Sequence, residues 1–490
     1  MSSLKQRTVS GFKWLVINNV AQKAISVATF AILARFLTPS VFGLFSMAFI
    51  AIDGLGLFKA FGLDGGIVQK KDCPDAANHT AFIIIASMSL VVFGVCYAIA
   101  PFVARFFNNE DLGSVVRALG LVFFVGGFGR VPSAILTRNL RFRLISIIDL
   151  IGSTVNCFFA VVFATFSPTV WSLVAAYLIR HSIMMSLSWY FSGYRFKWEF
   201  HPSLAKELFR FGRFLLGLSL LSYVSANISN LVIGKLLGVA AVGYLTLAGN
   251  IGNFINSHFT HVISRVMFPA YSRIQDDREQ LGRAYLKTIK YITMLTLPYS
   301  MGLICLSKEF VLTLYGEKWL AIIPLIRLLG FCQILVPFSI ASGSLFRGAG
   351  KPSYDFFMNL GTLFVHIPLM TILSLKIGIF GPATSALVIV VVLVPFELML
   401  IRRIVFVRVS DFIRQFVPAA SCSLIMVVAI QAFRALIRLY PVFKVFEFNH
   451  LTLLFSLGVV GLLSYAVSFL LFDRKASMEV KRMIFNLEGA

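Results

Sequence analysis

The chain has 490 residues, of which 58% are hydrophobic and 13% charged, and its mean hydropathy is +0.86. These values exclude an ordinary water-soluble domain, in which about 25% of the residues are charged. The formal net charge of +23 does not indicate a nucleic-acid partner, because the basic residues lie between apolar runs, as in loops that face anionic lipid.

Apolar runs of about 20 residues, long enough to cross roughly 30 Å of hydrocarbon, follow one another along the chain. They predict an all-α membrane protein with about 14 transmembrane helices. The predicted spans are 11–36, 41–63, 80–106, 112–131, 144–166, 169–193, 208–234, 240–264, 286–307, 320–346, 355–375, 379–401, 413–433 and 451–472. The six cysteines are scattered without a metal-ligating spacing, so we expect neither a metal nor another cofactor.

The first twelve spans read as two copies of one six-helix unit. Residues 33–45 resemble residues 233–245 at a shift of 200, and residues 117–120 resemble residues 327–330 at a shift of 210. The matched pairs are Arg35 with Lys235, Leu37 with Leu237, Gly43 with Gly243, and Arg117 with Arg327. Copies separated by an even number of spans have the same orientation, as in transporters built from parallel repeats.

The repeat predicts two six-helix lobes around a central cavity, followed by two additional C-terminal helices. The divisions are an N-lobe at 1–193, a basic cytoplasmic linker at 194–207, a C-lobe at 208–404, and the additional helices with a cytoplasmic tail at 405–490. With a cytoplasmic N-terminus, 30 of the 44 lysines and arginines lie in cytoplasmic segments and 9 lie outside. This positive-inside bias places both termini in the cytoplasm.

Five basic residues lie within spans instead of between them. Ionisable groups at membrane depth are costly and commonly face a cavity. We therefore expect Arg180, Lys23, Arg117 and Arg327 to bind an anionic substrate, since arginine can bind phosphate through two parallel hydrogen bonds. Structural alternatives are an ion pair between Lys23 and Asp53, and extension of Arg117 and Arg327 toward the outer headgroups.

Amides on three predicted helix faces would line the same cavity. These residues are Asn19 in the first span, Asn227 in the seventh, and Asn250 and Asn253 in the eighth. Their alternative role is to hold neighbouring helices together by hydrogen bonds. Asp53, in the middle of the second span, is the predicted ion-coupling residue, for either protons or sodium, because a buried carboxylate can titrate near neutral pH.

Several motifs resemble the Wzx-type polysaccharide flippases, in the colanic-acid exporter-like branch of the polysaccharide transporter family and the multidrug/oligosaccharidyl-lipid/polysaccharide (MOP) superfamily. They are Val9–Trp14 (VSGFKW), Phe61–Lys71 (FGLDGGIVQKK), Val266–Asp277 (VMFPAYSRIQDD) and Tyr315–Trp319 (YGEKW). The resemblance extends from the N-terminus to about residue 400.

The resemblance implies a non-enzymatic, alternating-access flippase in a bacterial inner membrane. Its substrate would be an undecaprenyl-pyrophosphate-linked oligosaccharide, and pairing with polysaccharide polymerase machinery stays open. One alternative is a multidrug or small-cation extruder of the same superfamily, whose cavity should favour acidic residues. The other is a membrane polymerase or ligase, which would need a larger outside loop than the longest one here, at about 434–450.

Overall fold

The computed structural model describes residues 2–58, 75–202, 223–255, 261–439 and 450–472. Every regular element within these ranges is a helix, which confirms the all-α prediction. Eleven candidate membrane spans lie in the described ranges. Helices suit a bilayer because each satisfies its own backbone hydrogen bonds where no water is available.

The helices follow one another with short connections. Their bounds are α1 Ser2–Phe36, α2 Pro39–Gly56, α3 Asp75–Phe106, α4 Glu110–Arg138, α5 Phe142–Phe166, α6 Val170–Ser192, α7 Val239–Gly252, α8 His261–Arg273, α9 Arg278–Leu314, α10 Ile323–Gly348, α11 Pro352–Ile377, α12 Gly381–Ile404, α13 Val409–Leu439 and α14 His450–Phe472. Residues 223–237, before α7, are also helical. Short 3-10 helices, Glu317–Ile322 and Gly378–Phe380, precede α10 and α12.

Polar and turn-forming residues set the helix ends. Asn109 caps α4 by accepting a hydrogen bond from the Leu112 N–H at 3.1 Å. Asp277 caps α9 by accepting from the N–H groups of Glu279 and Gln280 at 3.0 and 2.9 Å. Gly193 ends α6 in the left-handed region, at φ 64°, which glycine adopts at low cost. These caps supply partners for backbone groups that have none inside the helix.

Contacts divide the chain into two compact units, Met1–Gly243 and Tyr244–Ala490. In the first unit, α4 packs against α3 and α6, and α5 packs against α1 and α6. In the second, α9 packs against α10, α13 and α14, while α12 packs against α10 and α11. The contact boundary at Gly243 differs from the repeat boundary at 194–207, and the division into N-lobe and C-lobe stays a prediction.

The predicted span 240–264 is not one continuous helix. The first helix, α7, ends at Gly252, and Asn253 lies in a turn in which its N–H donates to the Gly249 carbonyl at 2.9 Å. Glycine and asparagine are weak helix formers, so hydropathy alone overlooked this interruption. Residues 256–260 lie outside the described ranges, as do the predicted motif at 61–71 and residues 203–222 of the seventh span and linker.

The described part of the basic linker is not helical up to residue 201. Phe196 packs on Phe82 of α3 with a ring-centroid distance of 4.7 Å. The Tyr194 hydroxyl is 2.9 Å from His79 Nδ1, and the His201 N–H donates to Thr80 Oγ1 at 3.1 Å. The linker therefore begins as a segment packed against the start of α3.

Two glycines that the repeat paired lie at a close approach of α2 and α7 within the first unit. A Cβ atom on Gly43 would overlap the carbonyl oxygen of Val239, and one on Gly243 would overlap that of Pro39. The contact is reciprocal at the shift of 200 residues. Small residues allow such a close backbone approach, because any side chain would separate the two helices.

Candidate functional site

Side chains from α1, α5 and α6 form a polar cluster in the first unit. Its members, called here the first-unit cluster, are Asn18, Gln22, Asp149, Tyr177 and Arg180. Asn18 is 5% exposed and donates from Nδ2 to Asp149 Oδ2 at 3.3 Å. Gln22 Nε2 donates to Asn18 Oδ1 at 3.0 Å. The hydrogen bonds fix the Asp149 carboxylate against α1.

Arg180 lies on α6 next to α5. A Cβ atom added to Gly152 of α5 would lie 2.7 Å from the Met184 side chain and 3.6 Å from Arg180 Cγ, so α6 packs closely on α5 here. Asp149, one turn earlier on α5, interacts electrostatically with Arg180. Arg180 Nε is buried and has no hydrogen-bond partner in the described parts of the chain. A buried donor on a cation that has no partner within the protein is available to hydrogen-bond an anionic ligand.

Asp53 adjoins this cluster from α2. It interacts electrostatically with Tyr177 of α6 and with Tyr223, whose hydroxyl donates to the Ile50 carbonyl. The side chain of Asp53 is exposed, because the position of a residue along a span does not determine which face it occupies. The role of Asp53 in ion coupling stays a prediction.

The other predicted residues of α1 lie apart from the buried face. Asn19 and Lys23 are both exposed, whereas Asn18 is buried. Lys23 is therefore accessible to a ligand but is not held by the first-unit cluster.

The two matched arginines have different local partners. The guanidinium of Arg117 lies over the Tyr97 ring, 4.7 Å from its centroid. Arg327 donates from Nε to Ser307 Oγ at 2.9 Å. Both arginines are exposed, near the starts of α4 and α10. These positions fit the alternative in which they extend toward the outer headgroups.

Two of the predicted asparagines form hydrogen bonds within their own units. Asn227 Nδ2 donates to the Tyr223 carbonyl at 3.1 Å. Asn253 Oδ1 accepts from Gln333 Nε2 of α10 at 2.7 Å, and Asn250 is exposed. The bond of Asn253 agrees with the alternative that such amides hold helices together. No group of three or more potential metal ligands occurs among the described residues.

Sequence reasoning missed Asp149 because it considered mainly the basic residues within spans. Asp149 lies on α5 between Ser146 and Ser153, at spacings of three and four, and both serines are buried. This spacing places the three polar residues on one helix face. A search for acidic residues on polar faces within apolar runs would have found Asp149.

An all-α architecture with many candidate membrane spans, some of which carry charged side chains, is typical of membrane transporters. The chain belongs to the polysaccharide biosynthesis protein family, whose model matches residues 32–324. This membership confirms the resemblance found in the sequence motifs.

Two relatives cover most of the chain. The lipopolysaccharide biosynthesis protein WzxC of Escherichia coli K12 is 28% identical over 392 residues, which are 80% of each chain. The teichuronic acid biosynthesis protein TuaB of Bacillus subtilis 168 is 26% identical over 374 residues, covering 75% of this chain and 76% of TuaB.

Two solved structures share the fold. The lipid II flippase MurJ, in an inward closed conformation, matches with a TM-score of 0.73 and 15% identity, covering 94% of this chain and 99% of MurJ. An inward-facing multidrug resistance MATE family transporter of the MOP superfamily matches with a TM-score of 0.62 and 19% identity. The match covers 78% of this chain and 95% of the MATE transporter's chain. At these identities the likeness concerns the fold alone.

Proposed function

We propose that this protein is a non-enzymatic flippase for undecaprenyl-pyrophosphate-linked oligosaccharide repeat units. It moves them from the cytoplasmic to the periplasmic leaflet of a bacterial inner membrane, for exopolysaccharide, capsule or O-antigen synthesis. The observation that carries the proposal is the buried, unsatisfied Nε of Arg180 in the first-unit cluster. Membership of the polysaccharide biosynthesis family supports the class of substrate.

In this proposal, Arg180 binds the pyrophosphate, the charged part of the lipid. A guanidinium at membrane depth attracts phosphate strongly because little water screens the interaction. Asp149 balances the arginine while no lipid is bound, and the pyrophosphate displaces that interaction. Lys23 and the exposed Asn19 contact the substrate's charged and glycan parts from α1, and the polyprenyl chain stays in the bilayer.

The proposed orientation has both termini in the cytoplasm. The charged turn Arg273–Arg278 and the connection Arg402–Arg408 then lie on the inner side, where anionic lipids attract basic loops. The short connection between α1 and α2 and the one between α3 and α4 lie on the outer side. The protein would receive its lipid substrate from glycan-assembling enzymes inside and deliver it to a polymerase outside.

Replacement of Arg180 by alanine tests the site. In cells that depend on this protein for surface polysaccharide, we expect Arg180→Ala to lower export at least tenfold, because a hydrogen bond to a charged group contributes roughly 1.5–3 kcal/mol. Arg180→Lys should retain part of the export, since lysine keeps the charge without the bidentate geometry. Surface polysaccharide per unit of membrane-inserted protein is the measurement.

The matched control is Arg283→Ala. Arg283 forms an exposed pair with Glu279 at 2.5 Å on α9, and exposed pairs contribute little. Its export should equal that of the unmodified protein. Normal export by Arg180→Ala, at normal protein level, would remove Arg180 from the site.

A further inference from the structure

A cavity of about 330 Å³ lies in the first unit among the starts of α2, α4, α6 and α7. It is called here the outer pocket, because the proposed orientation places the starts of α2 and α4 on the outer side. Its volume is at the lower end of the roughly 300–1,000 Å³ of small-ligand pockets. The polar and aromatic residues that line it are Ser40, Asn109, Asp111, Ser114, Thr169 and Trp171.

The lining of the outer pocket combines buried apolar residues with exposed polar ones. The buried residues are Leu44, Val115 and Val170. Most of the polar residues are exposed, and the indole of Trp171 is 49% exposed beside them. The pocket therefore offers apolar and aromatic surface next to hydrogen-bonding groups, which suits a ligand that carries both C–H and O–H groups.

Local hydrogen bonds at the start of α4 fix two of the polar side chains. Asn109 Oδ1 accepts from the Leu112 N–H at 3.1 Å, so its Nδ2 group is the part that a ligand could use. Ser114 Oγ donates to the Asp111 carbonyl at 2.7 Å, so its lone pairs are the part that a ligand could use. The Asp111 carboxylate is a further acceptor. The pocket thus presents an amide donor beside hydroxyl and carboxylate acceptors.

The second copy of the repeat has apolar residues where the first copy lines this pocket with polar ones. The matched pairs, at the shifts of 200 and 210 residues, are Ser40 with Ala240, Asp111 with Ala321, and Ser114 with Pro324. The second copy is helical at these positions as well. Helix formation in this repeat therefore does not require the polar residues, and a ligand accounts for their presence in one copy.

The charge of the lining selects among classes of ligand. Asp111 is the one charged residue among the described residues that line the pocket, and a carboxylate repels phosphate. A quaternary organic cation would be attracted to Asp111 and Trp171 but has no group that bonds the hydroxyls and the amide. A sugar ring has O–H groups for these partners. Its C–H groups can pack on the negative face of an aromatic ring.

We propose that the outer pocket binds a saccharide ring of a glycan. Trp171 packs against the face of the ring, Asp111 accepts hydrogen bonds from its hydroxyls, and Asn109 donates to its oxygens. That this glycan is the translocated repeat unit rests on the proposed flippase function, whereas saccharide binding does not. In that function, the pocket holds the glycan on the outer side after translocation and hinders its return.

Titration of the purified protein in nanodiscs by saturation-transfer difference NMR tests the pocket. The ligand is the lipid-free oligosaccharide released by mild acid from the surface polysaccharide of cells that depend on this protein. We expect Trp171→Ala to bind it about fivefold more weakly, because the aromatic contact is lost. Asp111→Ala should also bind it more weakly. This variant should fold, since the second copy carries alanine at the matched position.

The matched control is Trp198→Ala. Trp198 lies in the linker, outside the pocket, and is 85% exposed, so the variant should bind the oligosaccharide like the unmodified protein. Unchanged affinity in both Trp171→Ala and Asp111→Ala would overturn the site, as would the absence of binding by the unmodified protein. Tighter binding of tetramethylammonium than of the oligosaccharide, lost in Trp171→Ala, would overturn it in favour of a cation site.

Translocation of a fluorescent polyprenyl-pyrophosphate oligosaccharide in liposomes separates this proposal from the proposed function. Translocation by the unmodified protein without oligosaccharide binding would overturn the pocket and leave the flippase in place. Oligosaccharide binding that Trp171→Ala weakens, without any translocation, would support the pocket and remove the flippase function.

Discussion

Asp149 of α5 places a carboxylate close enough to Arg180 of α6 for the two side chains to interact electrostatically. In the proposed mechanism this carboxylate competes with the pyrophosphate for the guanidinium. Removal of the charge should therefore strengthen binding and slow release. The Asn18 amide that holds Asp149 can also bond an asparagine at position 149, so the local packing should survive the substitution.

We expect Asp149→Asn to bind a polyprenyl pyrophosphate up to about tenfold more tightly, equivalent to roughly 1.4 kcal/mol, and to export more slowly. Equilibrium binding of the lipid to purified protein is the measurement. Asp149→Glu is the control, because it keeps the charge and should bind like the unmodified protein. Weaker binding by Asp149→Asn would show that Asp149 orients Arg180 instead of competing for it.

For individual residues, spacing along the chain predicted only part of the candidate site. The central position of Arg180 in its span indicated a buried cation, and the structure buries its Nε. The same reasoning did not reveal that Asp53 is exposed or that Asp149 lies beside Arg180. Helical periodicity identifies residues on one face, but the neighbouring helix that covers this face depends on tertiary packing.

The close approach of α2 and α7 provides a test at the scale of elements. A methyl group on Gly43 would meet a backbone carbonyl, and backbone cannot move aside as a flexible side chain can. Gly43→Ala should therefore destabilise the protein by about 1–3 kcal/mol, the usual cost of overpacking. Thermal unfolding in detergent micelles measures this change.

Gly94→Ala is the matched control. Gly94 lies within α3, and a Cβ atom there would meet nothing within 4 Å. Alanine in an open helical position should be neutral or stabilising by up to about 1 kcal/mol, because glycine is the poorer helix former. Equal unfolding temperatures for both variants would mean that the two helices are not in close contact.

Apolar runs predicted where helices occur better than where they end. The ninth predicted span, 286–307, lies inside α9, which extends from Arg278 to Leu314. The added first turns carry the charged residues Arg278, Glu279 and Arg283, which a hydropathy criterion omits. Capping by Asp277 explains the true start, and this signal was readable in the sequence.

The repeat at the scale of the whole molecule was detectable because both copies keep the same residue types at a nearly constant shift. Gly43 and Gly243, paired by sequence alone, lie against each other in the structure. The additional α13 and α14 pack on α9, and the partly buried Glu309–Arg434 pair joins α13 to α9. Sequence could not predict that pair, because its residues are 125 positions apart and no repeat relates them.

The central claim, that the molecule moves a lipid-linked oligosaccharide, is tested most directly with the unmodified protein in liposomes. Translocation of a fluorescent polyprenyl-pyrophosphate oligosaccharide is measured beside uptake of a fluorescent organic cation, with protein-free liposomes as the baseline. We predict protein-dependent translocation of the lipid and no movement of the cation, because the membrane-depth cations repel a positive substrate. Movement of the organic cation without translocation of the lipid would contradict the account and identify a drug extruder.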